Sequence, residues 1–452
     1  MGCHLAPGKF RNRNIFASMN LEFFIAKRVA SLKRQSFSGL IIRIAVIAIA
    51  LSLAVMIVST AVIRGFKHQI GEKIFGFWGH IHITSTQVNR STGEASPIDI
   101  NQPFYPSLEN IGQVTYEDNF RILGIEFSDR IVERKTEGGI RHIQAFALKP
   151  GIIKTKKEIE GIILKGIGKD FDWTFFDRYL LEGERLQLPD SSAGEGIILS
   201  QQTAKRLEMN LGDKFIFHFV NDGEALRRRF TVEGIYKTGL EEYDRKFALV
   251  DIRKVQELLN WKPNQVGGFE VFIDNLGDME VLTDYVYLEE IPGDMYCENI
   301  REKYPAIFEW LALQDINEVV ILVLMLVVGI INMVTALMIL ILERTNMIGT
   351  LKALGQTNWG IRKIFLYHAA YIILLGLFWG NLVGISFCLL QEKFGFITLS
   401  EENYYLSVAP VELEAFTVLL LNIGVLVVTL AFLILPSWLV TRISPVKAIR
   451  FK

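Results

Sequence analysis

Four apolar stretches, at residues 44–63, 319–342, 364–390 and 415–440, are spaced unequally along this 452-residue chain. A bilayer core about 30 Å thick is crossed by about 20 apolar residues at about 1.5 Å each, and all four stretches reach that length. Three carry no charged side chain, and the third carries one ionisable group, His368. Soluble core helices rarely stay uncharged for so long. The pattern predicts an α-helical integral membrane protein with four transmembrane helices. A large extracytoplasmic α+β domain, residues 64–318, lies between helices 1 and 2.

Orientation follows from Lys and Arg in the short flanks, because these cations resist translocation. Residues 1–43 hold Lys9, Arg11, Arg13, Lys27, Arg28, Lys33, Arg34 and Arg43 against one acid, Glu22. The link 343–363 carries Arg344, Lys352, Arg362 and Lys363, and the tail 441–452 carries Arg442, Lys447, Arg450 and Lys452. In contrast, the loop 391–414 is acidic, with Glu392, Glu401, Glu402, Glu412 and Glu414 against Lys393. Both termini and the middle link are therefore expected in the cytoplasm, and residues 64–318 outside. A net charge of -1 gives no footing for nucleic-acid binding. Cys297 is the only cysteine in the external segment, so no disulfide can form within it and an ordinary core must hold it together.

Residues 1–18 are basic and lack a signal-peptide core, and Met19 is the more natural start. Phe23, Phe24, Ile25 and Val29 ahead of Lys33 and Arg34 suggest either a helix on the cytoplasmic interface or a plain extension of span one. Strand patterns fall at 80–84, 215–220, 230–236, 247–250 and 269–273. Helices are expected at 200–208 and 251–260, capped by Ser200 and Asp251, with a turn at Gly212-Asp213. The less regular portion, about 116–188, reads as an inserted subdomain. Pro305 suits a first helical turn, and no proline follows before residue 342. One helix over 305–342 would run about 57 Å, well beyond the hydrocarbon core, so 305–318 is expected to be a rigid stalk.

The link holds the most specific sequence. Glu343-Arg344-Thr345-Asn346-Met347-Ile348-Gly349-Thr350-Leu351-Lys352-Ala353-Leu354-Gly355 places Met347, Leu351 and Leu354 on one helical face, with small residues at Gly349 and Ala353. Gly355 is a natural C-terminal cap, and Asn358 is expected to cap the next helix. By pattern alone such a helix suits a partner's groove or a lipid surface equally.

These elements resemble the coupling region of FtsX-like permeases, the membrane subunits of a class of ABC transporters. Glu343 to Thr345, Ile348, Leu351 to Gly355 and Ile361 to Leu366 carry the match. Phe24-Ile25-Ala26-Lys27-Arg28, Arg64-Gly65-Phe66, Gly196-Ile197-Ile198-Leu199, Leu211-Gly212-Asp213, Gly234-Ile235-Tyr236-Lys237-Thr238-Gly239 with Glu242-Tyr243-Asp244, and Ile443 to Phe451 are similar to the lipoprotein-releasing members. One departure is Ile300 before Arg301-Glu302, where that group often has Trp. The resemblance implies a non-enzymatic permease subunit of a bacterial inner (plasma) membrane, paired with a second permease and driven by a cytoplasmic ABC ATPase; one such chain could serve both half-sites, so a homodimer is expected. It further implies a lipoprotein drawn from membrane lipid and passed to a periplasmic lipoprotein carrier. Glu343, Arg344, Met347, Ile348, Gly349, Leu351, Lys352, Ala353, Leu354 and Gly355 would form the ATPase contact. Ala54, Met56, Ser59 and Met333 would line an acyl-chain pocket.

The chain has no phosphate loop, since Gly166-Ile167-Gly168-Lys169-Asp170 has the wrong spacing. No cofactor is expected on it, and ATP with Mg belongs on the partner. His80 and His82 alternate without further ligands, so no metal site is expected. His368 has no acidic partner in any span. Arg227-Arg228-Arg229 reads as a solvated hairpin edge. Two other functions fit less of the chain: a mechanotransmission permease for export or cell-wall hydrolase activation, and an ATP-independent sensor or scaffold.

Overall fold

The computed structural model describes residues 22, 24–26, 37–86, 96–122, 125–155, 158–189, 192–221 and 224–443. The expected interfacial helix falls largely outside them, as do Met19 and the closing Ser444 to Phe451. The chain divides into two compact units. One comprises Met1–Gly65, Leu313–Phe396 and Pro410–Lys452, and the other Phe66–Ala312 and Ile397–Ala409.

The first unit is helical. Among the described residues, four helices are long and apolar enough to cross a membrane: Phe37–Trp78, Pro305–Glu343, Asn358–Phe394 and Ala415–Ser437, the last followed by Leu439–Arg442. Its core is an apolar seam of Ala45, Ile49, Leu53, Ile57 and Ala61 against Phe365, Ala369, Ile372, Ile373 and Leu377, joined by Met333, Leu337 and Leu340. The spacing of three and four along each run is the period of one helical face. The other faces stay apolar and exposed, as at Ile47, Leu51, Val323, Leu324 and Ile331.

Glycine decides how closely the first and third helices approach. Gly376, Gly380 and Gly384 form a stripe at every fourth position. A Cβ on Gly376 would lie 2.7 Å from Ile49 Cβ, and one on Gly380 would lie 2.8 Å from the Ala50 carbonyl oxygen. Small residues are how helices gain contact where no water drives them together. The third and fourth helices are tied by reciprocal amide bonds, from Asn381 Nδ2 to Asn422 Oδ1 at 2.7 Å and from Asn422 Nδ2 to Asn381 Oδ1 at 2.9 Å. Arg64 pairs with Glu414.

The second unit is built on a ten-stranded mixed sheet. Its strand order is 295–299, 81–85, 268–273, 140–154, 159–167, 247–251, 196–200, 224–236 and 180–183, with 214–221 pairing both 224–236 and 140–154. Two neighbours are parallel, 159–167 with 247–251 and 196–200 with 224–236. Strands 196–200, 247–251 and 268–273 are buried at every residue, which explains their nearly continuous apolar sequences. Ser200 accepts from the Thr203 amide and Asp251 from the Arg253 amide, starting helices Gln201–Arg206 and Ile252–Leu259. Asn260, in the left-handed region at φ 55°, ends the second of these. Gly212 takes φ 85° in the turn before strand 214–221.

Residues 116–188 are not a separate subdomain. Strands 140–154, 159–167 and 180–183 belong to the main sheet, and among the described strands of this stretch only the hairpin 115–122/125–135 forms a sheet of its own. The long, bent strand 140–154 pairs with three neighbours, which blurred its alternation. Arg227 to Arg229 lie on the hairpin 214–221/224–236.

Candidate functional site

The link between the second and third membrane helices folds as a short helix, Thr345–Ala353. Ile348 is fully buried and Gly349 is buried, while Met347 and Leu351 are half-buried against the apolar core of the helical unit. Leu354, in contrast, is 79% exposed, and Trp359 beyond it is 52% exposed. The expected outward face of Met347, Leu351 and Leu354 is therefore divided. Its first two members hold the helix down, and Leu354 with Ala353 and Gly355 is presented outward. Glu343 is exposed and Arg344 half-buried.

Lys352 fixes the helix in place. Its Nζ donates to the carbonyls of Val440 at 2.8 Å, Thr441 at 3.3 Å and Ile443 at 2.8 Å. A cation at the open carbonyl end of a helix is favoured by the unsatisfied acceptors there, so Lys352 binds the link to the end of Leu439–Arg442. Gly355, at φ 89°, turns the chain toward the next helix. That helix is capped by Thr357, whose hydroxyl accepts from the Gly360 amide at 3.1 Å, and not by Asn358, its first residue. Thr357 has the extended backbone a cap requires, which one residue of sequence offset cannot reveal.

The pocket candidates separate. Ala54 packs on the glycine stripe, 3.1 Å from where a Gly384 Cβ would stand, and Met56 and Met333 are buried in the core of the helical unit. Ser59 is half-buried. His368 is buried on the third helix.

In the α+β unit, the end of the first long helix is held by a buried polar network. Lys165 and Glu270, both without solvent exposure, form an ion pair at 2.8 Å, and Lys165 Nζ also donates to the Phe77 carbonyl at 2.5 Å. The same ammonium lies 4.8 Å from the Trp78 ring centroid. Gln144 Nε2 donates to Glu270 Oε2 at 2.7 Å. Burial pulls the Lys165 ammonium down and pushes the Glu270 carboxyl up, and each charge opposes the other's shift.

His82 Nε2 meets the Trp78 carbonyl at 2.6 Å and its Nδ1 lies 2.7 Å from Lys303 Nζ. Nε2 must donate and Nδ1 accept, so the ring is neutral, and burial together with Lys303 holds its pKa well below the ordinary value. His80 Nδ1 accepts from the Ile273 amide at 3.2 Å, and burial lowers its pKa to about 3. Among the described residues no cluster suited to a metal is present. The second long helix is approached through Asn299 and Glu302, which form a capping box before Pro305.

These buried polar anchors, the glycine stripe and the Asn381–Asn422 pair were not read from the sequence. The stripe and the two asparagines were visible there as small and polar residues inside spans. Lys165 and Glu270 lie in ordinary strand patterns, and nothing local marks them as partners.

Two family models cover most of the chain. The MacB-like periplasmic core domain matches residues 44–283, more than half of it, and the FtsX-like permease C-terminal region matches residues 319–445. The chain belongs to the FtsX-like permeases that carry a MacB-like periplasmic core domain. It is an ABC permease subunit that crosses the membrane more than once.

Curated relatives of this permease match over nearly full length. It is 23% identical to the lipoprotein-releasing system transmembrane protein LolE of Haemophilus influenzae, over 95% of this chain and 99% of the relative. LolC of Xylella fastidiosa is 21% identical, over 96% and 98%, and LolC of Neisseria meningitidis serogroup B is 22% identical, over 96% and 100%. Among solved structures, the extracellular domain of the noncanonic ABC-type transporter YknZ from Gram-positive bacteria matches at TM-score 0.26 and 16% identity, covering 35% of this chain and 82% of that one.

Proposed function

We propose that this permease uses ATP hydrolysed on a separate cytoplasmic subunit to extract lipoproteins from the inner membrane and pass them to a periplasmic carrier. One observation carries the reading: the ends of two membrane helices are core residues of the α+β unit. Ile70, Ile74, Phe77 and Trp78 of Phe37–Trp78 and Leu311 of Pro305–Glu343 are buried in that core. A helix of 39 residues is about 58 Å long, roughly twice the hydrocarbon thickness, so it is a lever and not a tether. The full-length match to relatives named for lipoprotein release supports the choice of cargo.

In this mechanism a closing ATPase pair pushes on Leu354 and its neighbours, with ATP and Mg held by that partner. The basic flanks favour both termini and the link on the cytoplasmic side, where this mechanism needs the ATPase. A second copy of the chain completes the assembly. The exposed apolar faces of the first two spans, as at Leu51 and Val323, receive the acyl chains, with Ser59 half-buried on the first.

The test is copurification followed by transport. The chain should retain an ABC ATPase, and in vesicles it should release an acylated lipoprotein to a soluble acceptor only with ATP. An ATPase that binds while lipoproteins stay sorted after depletion would favour general mechanotransmission. A chain that binds no ATPase would return the sensor reading.

A further inference from the structure

Residues 397–409 join the third and fourth membrane helices, yet they fold as part of the α+β unit. The segment closes on itself, with Leu399 N donating to the Ser407 carbonyl at 2.9 Å and Ala409 N to the Ile397 carbonyl at 3.0 Å. Within it a single helical turn, Glu401–Tyr404, ends on Tyr405 at φ 58°. Leu406 is buried in the core of the unit.

Both long helices touch this segment through their outer ends. Lys73 Nζ donates to the Tyr405 carbonyl at 2.9 Å. Tyr405 meets Trp310 edge-on at 6.3 Å, and Tyr404 meets Phe66 at 6.4 Å. From the sheet, Lys237 pairs with Glu401 at 2.5 Å.

Lys237 begins the motif Lys237-Thr238-Gly239 with Glu242-Tyr243-Asp244. The structure shows this motif as a built loop. Asp244, 4% exposed, accepts from Thr238 Oγ1 at 2.6 Å, from the Thr238 amide at 3.2 Å and from the Gly239 amide at 3.0 Å. Gly239, at φ 77°, lets the loop pass beside Lys73, and a Cβ there would stand 2.9 Å from its Nζ. Tyr243 stacks on Phe77 at 5.2 Å. This shaped loop grips a helix on one side and the 397–409 segment on the other.

We propose that residues 397–409 are a latch that makes the third and fourth membrane helices a second route of force into the α+β unit, held by Lys73 and by the Lys237–Glu401 pair. Lys73, Lys237 and Glu401 are positioning residues in this scheme, which rests on the permease reading above. The first long helix reaches the loop 237–244 through Lys73 and Phe77. With the latch closed, the third and fourth membrane helices reach the same loop through Glu401.

The experiment uses the full chain with its ATPase partner in lipid nanodiscs, comparing Lys237→Ala, Glu401→Ala and Lys237→Arg. The alanine variants are expected to raise amide exchange over 397–409 about fivefold, the effect of losing one partly exposed ion pair, and to lower lipoprotein released per ATP by a similar factor. ATPase binding stays unchanged, and Lys237→Arg restores both readouts. Unchanged exchange, or raised exchange with unchanged release per ATP, overturns the latch. If the unaltered chain hydrolyses ATP with its partner and releases no lipoprotein, the cargo reading fails on that result alone. Exchange over 397–409, compared with and without ATP, then decides the latch separately.

Discussion

Lys165 and Glu270 hold opposite charges where neither can reach water, so removing one partner is costlier than removing both. Lys165→Met should destabilise the α+β unit by about 3–5 kcal/mol, because it strands the Glu270 carboxylate and frees the Phe77 carbonyl. Adding Glu270→Met should recover much of that loss, read as the midpoint of chemical denaturation followed by tryptophan fluorescence. His80 and His82, the buried histidines of the α+β unit, set a pH dependence. Each is neutral when folded and has an ordinary pKa near 6.5 when unfolded, so the unfolded state takes up more protons as pH falls. Their contribution is complete above about pH 6.5 and is lost below it, and for His80 the loss continues down toward about pH 3. Stability should fall by up to about 1.4 kcal/mol per pH unit for each histidine between pH 6 and 4, and His80→Gln should flatten that slope.

At the scale of the element, the link helix has a buried side at Ile348 and an exposed side at Leu354, and the proposed coupling assigns the ATPase contact to the second. Leu354→Asp changes an exposed position and should leave the membrane fold intact while cutting ATPase stimulation at least about tenfold, since a charge in an apolar contact disfavours docking. Ile348→Asp buries a carboxylate and should instead abolish a monodisperse preparation in detergent. Gly380→Leu tests the helix stripe. Overpacking against Ala50 and Leu53 should cost about 1–3 kcal/mol or more and lower the thermal midpoint, with no compensating gain elsewhere. The long helices, the paired Ser200 and Asp251 caps and the hairpin 214–221/224–236 were legible locally, because each depends on neighbours within a few residues. Strand 140–154 was less so, since its pairing with 268–273, 159–167 and 214–221 is set by distant chain.

For the whole molecule, the permease reading requires that the long helices be stiff. Inserting three glycines after Gln314 should leave assembly with the ATPase unchanged and reduce lipoprotein release per ATP several-fold, because glycine favours helix breaking by about 1 kcal/mol per residue. Equal release in that variant would remove the lever from the mechanism. By itself the sequence determined the four spans, the large domain after the first of them, the family and the residues of the link, since hydrophobic length and local motifs carry those signals. Only the tertiary structure decided that Ile348 faces in and Leu354 out, that three glycines seat one span on another, that Lys165 finds Glu270 and that residues 397–409 fold with the α+β unit. Those outcomes depend on contacts between residues far apart in the chain, and no periodicity along the chain records them.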